Sequence, residues 1–100
     1  MKEQLKIYEL QERLQMLTSG NHGRKTTILL EGDKIVENRS FKRLNYDPEN
    51  KGNDFTIEVE DYIHTIDSPS EFYLTKNKNG ELSIFEVIDN GGKSCLIEFH

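Results

Sequence analysis

Residues 72–99, Phe72-Tyr-Leu-Thr-Lys-Asn-Lys-Asn-Gly-Glu-Leu-Ser-Ile-Phe-Glu-Val-Ile-Asp-Asn-Gly-Gly-Lys-Ser-Cys-Leu-Ile-Glu-Phe99, carry the stretch that decides the fold. Asn79-Gly80 stands between two apolar runs, Phe72 to Lys76 and Glu81 to Ile88, which is a strong hairpin signal. Asp89-Asn90-Gly91-Gly92 makes a second turn, and Ser94 to Phe99 reads as a final strand. Three consecutive strands joined by tight turns form an antiparallel meander.

Upstream, Phe55, Ile57 and Val59 alternate with Thr56, Glu58 and Glu60, a strand with one buried side. Beyond Asp61 the apolar parity shifts to Tyr62, His64 and Ile66, which predicts a bulge near Glu60-Asp61. Residues 45–54 are rich in turn formers and read as a polar loop. Thr26 to Leu30 and Lys34 to Phe41 read as two further strands joined at Gly32-Asp33.

The N-terminal segment has a different period. Ile7, Leu10, Leu14 and Leu17 fall at helical steps, Leu5 and Tyr8 widen the stripe, and good helix formers fill the other positions. This spacing predicts a helix over about 2–18, closed by Gly20, with Glu9 and Arg13 as a helix-surface ion pair. The expected architecture is α+β: one N-terminal amphipathic helix packed on an antiparallel sheet of about five or six strands, in a single domain over 1–100.

Composition restricts function. The chain holds 13 Lys and Arg against 18 Asp and Glu, a net charge of −5. By segment, 1–21 is neutral, 22–46 carries +3 and 47–100 carries −8, although folding can interleave them. One cysteine rules out an intrachain disulfide, and no apolar run approaches the roughly 18–20 residues of a membrane span. The N-terminal residues do not resemble a secretory signal, so a cytoplasmic location is expected. The absence of alanine and tryptophan, with abundant Lys, Asn, Ile and Glu, fits AT-rich coding in a low-GC bacterium or its phage.

Several patterns imitate known chemistry and fail on detail. Asp47, Gly52 and Glu58 have calcium-loop spacing, but Lys51 stands where a ligand oxygen belongs. Gly20 to Thr26 looks like a phosphate loop with its helix on the wrong side. Cys95 alternates with Ile97 and Phe99, as a core residue would, and His22, His64 and His100 have no metal-ligand spacing. No catalytic residue, metal ligand or cofactor is expected. A chamber ringed by Cys95, His64 and buried acids would overturn that reading.

Binding remains. The expected function is a small non-enzymatic protein-binding domain, adaptor- or inhibitor-like, acting through an acidic surface of Glu58, Glu60, Asp61 and Asp67. The alternative is nucleic-acid binding by Arg39, Phe41, Lys42, Arg43 and Tyr46, cations for phosphates and rings for bases. An enzyme without a recognisable motif is a further alternative. Self-association through Ile7, Leu10, Leu14 and Leu17 would give a homodimer.

Overall fold

The computed structural model describes residues 2–47 and 53–100. Among them lie eight strands and one α-helix: β1 (Lys2–Leu5), α1 (Leu10–Asn21), β2 (Lys25–Leu30), β3 (Asp33–Asp47), β4 (Asp54–Val59), β5 (Tyr62–Asp67), β6 (Pro69–Lys76), β7 (Leu82–Asp89) and β8 (Ser94–Phe99). A 3-10 turn, Ile7–Glu9, leads into the helix. All ladders are antiparallel, in the order β1-β6-β7-β8-β2-β3-β4-β5.

The C-terminal meander forms as its turns dictate. Asn77 Oδ1 accepts from the N–H of Asn79 and Glu81, and Asp89 Oδ1 accepts from those of Gly91 and Lys93. Gly80 (φ +80°) and Gly92 (φ +85°) take the left-handed step each turn requires. The two hairpins are the same device used twice.

Several expectations are corrected. Residues Lys2–Leu5 are a strand pairing with β6, so the predicted helix loses its first turns. It also ends at Asn21, with Gly20 inside it and Gly23 (φ +88°) making the turn. The Glu9–Arg13 pair forms at 3.8 Å, while Arg13 also meets Glu3 of β1 at 3.3 Å. The predicted bulge at Glu60-Asp61 is a two-residue hairpin turn, with Val59 opposite Tyr62 and Asp61 at φ 61°. That splits one expected strand into two, and together with β1 it raises the count to eight. Of the predicted polar loop, 45–47 and 54 lie in strands, and 48–52 fall outside the described residues.

β3 sets the shape. Its first half pairs with β2 and its second with β4. The register slips against β2, where Asn38 sits at φ 54° with its N–H on Thr27 Oγ1, and again against β4 between Phe41 and Arg43. Such interruptions bend a strand. The sheet therefore curls, and β3–β5 lie over β6–β8 with Phe55 stacked on Phe85 and Tyr46 edge-on to Phe72.

Where β3 runs past β2, α1 covers its edge. The Thr18 hydroxyl donates to Leu44 O and accepts from Leu44 N, and Gln11 Nε2 donates to Tyr46 O. Leu10 and Leu14 complete the core beneath. None of the described helices is long and apolar enough to cross a membrane.

Candidate functional site

The curl leaves a seam. Among the described residues β5 is the last strand of the sheet and pairs with β4 alone. Ser68 N donates to Asn53 O, which fixes the phase of the ladder. Antiparallel pairs alternate between bonded and non-bonded, so Ile66, His64 and Tyr62 face β4, whereas Ile63, Thr65 and Asp67 turn their backbone groups outward. Ile63 is 59% exposed.

Beside that edge lies a cleft of about 340 Å³. Four successive β5 residues, 64–67, line it, which a strand achieves only by presenting its edge. The opposite wall comes from Leu30 at the end of β2 and Glu31 just after it, and from Asp89, Lys93 and Cys95 around the β7–β8 turn. Leu30 pairs directly with Cys95, so this wall is rigid ladder. Leu30, Ile66 and Cys95 make it apolar, while Glu31, Asp67 and Asp89 against Lys93 leave its rim acidic.

His64 and Cys95 thus share one cleft, but not as a buried-acid chamber: Glu31 and Asp67 are exposed and Asp89 is half-buried. Burial pushes the Cys95 thiol up to about 12 and lowers His64 below 6.5. An activated cysteine needs a depressed thiol beside a protonated imidazole. Here both shifts run the other way. The His64 ring stacks on Tyr62, whose hydroxyl lies 3.4 Å from Nδ1. Among the described residues no cluster of three or more His, Cys, Asp or Glu could hold a metal ion.

The residues singled out in the sequence converge only in part: Lys42, Glu58 and Asp61 line one open pocket at the β4–β5 turn. Glu58 is paired with Arg43 at 2.9 Å across β3 and β4. Glu60 and Asp61 form the hairpin tip, and Asp67 lies at the opposite end of β5. Only Asp67 borders the cleft. Phe41 and Tyr46, the rings offered for base stacking, are buried in the core, and the Tyr46 hydroxyl donates to Asn53 Oδ1. Arg39 donates to Glu60 O, and Lys42 is exposed. Between the acidic and basic stretches, Arg43 and Glu58 are direct cross-strand partners joined by an ion pair. In the apolar stripe, Leu10 and Leu14 are buried, Leu17 packs partly against the core and Ile7 is 55% exposed, so the four share no common free face.

Sequence reasoning missed Leu30, Glu31, Ile66, Asp89 and Lys93 as members of one cleft. They come from three separated segments: the β2–β8 ladder joins Leu30 and Glu31 to the β7–β8 turn, and the curl of β3 brings Ile66 beside them.

A search of curated proteins finds no match. The fold is similar to that in the crystal structure of the Bacillus subtilis YojF protein, with a TM-score of 0.54 over 99% of this chain and 94% of that one. At 14% identity the likeness concerns the fold alone. The profile of DUF5335, a family of unknown function, matches residues 2–100, and the chain belongs to that family.

Proposed function

We propose that this chain is a non-enzymatic protein-binding domain, adaptor- or inhibitor-like, that takes up an extended segment of a partner protein along β5. The observation that carries this is the free edge of β5 beside an apolar cleft. A strand added there gains main-chain hydrogen bonds from residues 63, 65 and 67, and an alternate side chain enters the cleft. The raised thiol of Cys95 and the lowered proton affinity of His64, both caused by burial, support a recognition role over a chemical one.

Thr65→Pro tests the reading. Proline is tolerated on an edge whose N–H faces solvent, so the fold should survive while the central docking donor disappears. Selection from a random peptide display library should enrich proline-free segments with alternating apolar positions, all losing affinity for Thr65→Pro at least about tenfold. A selection that enriches nothing, or peptides indifferent to the substitution, would remove the proposal.

A further inference from the structure

We infer that the segment taken up by β5 is basic, with one apolar side chain seated in the cleft between lysines or arginines; this rests on the strand-docking reading above. An added strand alternates its side chains. Those on the His64 and Ile66 side enter the cleft against Leu30, Ile66 and Cys95; those on the other side lie alongside Ile63 and Asp67.

The apolar seat is ringed by charge of one sign. Glu31, Asp67 and Asp89 against Lys93 leave the rim at −2. Asp54 stands directly opposite Asp67 in the ladder, so two carboxylates are cross-strand neighbours at this end of β5. A cationic segment meets complementary potential here, and an acidic one meets repulsion. A second copy of this chain would bring the same acidic rim against its twin, which disfavours edge-to-edge pairing.

The test uses the purified full chain and two fluorescein-labelled peptides, one alternating Val or Ile with Lys, the other carrying Glu in place of Lys. Fluorescence anisotropy should show the Lys peptide binding at least about tenfold more tightly at low salt, with the ratio shrinking as salt screens the rim. Glu31→Lys with Asp67→Lys should reverse the preference, while Glu12→Lys with Glu81→Lys, equal in charge and remote from the cleft, should leave it intact. N-methylation of alternate peptide amides should abolish binding without any change to the protein, which keeps the test valid even if Thr65→Pro fails to fold.

The failures are distinguishable. Equal or tighter binding of the Glu peptide, or equal effects of the near and remote reversals, overturns the basic preference and leaves strand docking standing. No binding of either peptide, or indifference to N-methylation, overturns strand docking itself. A wild-type dimer that Thr65→Pro dissociates would assign the edge to a second copy and overturn the peptide occupant.

Discussion

Among the described residues the sheet has two outer strands, and they are finished differently. β1 is four residues long and shows Lys2, Glu3 and Gln4 to solvent. Lys2 is paired with Glu86 and lies over the Tyr73 ring, and Glu3 is held by Arg13 of α1. Short length and charged side chains are how proteins blunt an edge against unwanted pairing. β5 is six residues long, exposes Ile63, has no Lys or Arg within it and runs along an apolar cleft. One edge is closed to partners by its own side chains. The other is left open, and an open edge in a small domain is expensive to keep unless something uses it.

The comparison breaks most visibly in stability. Leu5, 3% exposed, is the residue by which β1 joins the core. Leu5→Ala should cost about 2–5 kcal/mol, as buried leucine truncations do. Ile63→Ala on β5 should stay within about 0.5 kcal/mol. Urea denaturation checks both, with the midpoint moving for the first and the slope unchanged. Equal losses would mean that β5 is as structural as β1.

A smaller effect sharpens the contrast through pH. β1 contains no histidine, whereas His64 on β5 has its proton affinity lowered by burial. With 6.5 as its unfolded value and a lower folded one, the unfolded chain holds the extra proton between the two. Stability from this group is therefore complete above about pH 6.5 and declines as the pH falls through the window below it. His64→Gln should flatten that part of the profile in thermal melts from pH 7.5 to 5.5. Carboxylates titrate lower and should govern only the more acidic arm.

How much of this could be read in the chain differs between the same regions. The β6–β8 meander was legible because its turns carry their own chemistry: a side-chain acceptor at Asn77 or Asp89 and a glycine three residues on. β1 was not, because Lys2-Glu-Gln-Leu5 is too short and too charged to show a two-residue period, and it joins helix formers without a break. At Glu60-Asp61 the parity of apolar residues changes, and that signal was seen. Yet an inserted residue and a two-residue turn change parity in the same way, so pattern alone could not separate bulge from hairpin. The distinction decides where the sheet ends, since only the hairpin makes β5 an outer strand. Phe41 reads equally well as a core residue at a strand end, and it is one; the burial of Tyr46 was beyond reach, because it follows from β3 bending twice and carrying its second half over the meander.

The smallest expected effect tests whether the edge or the general acidity of the chain does the recognising. Glu58 lies on the same curled strands as Asp67, but its carboxylate is held by Arg43 at 2.9 Å on an exposed face. Such pairs contribute about 0.2–1 kcal/mol, so Glu58→Gln should barely move the denaturation midpoint. It should also change the affinity for a lysine-rich strand less than about twofold, because the lost charge was already compensated by its neighbour. Asp67→Asn removes the same charge at the border of the cleft and should weaken that affinity several times more. If the two substitutions act equally, attraction comes from the net charge of −5 and not from the finish of one edge. If Asp67 dominates, the acids that matter are those where the curl of β3 brings a bare strand against an apolar seat.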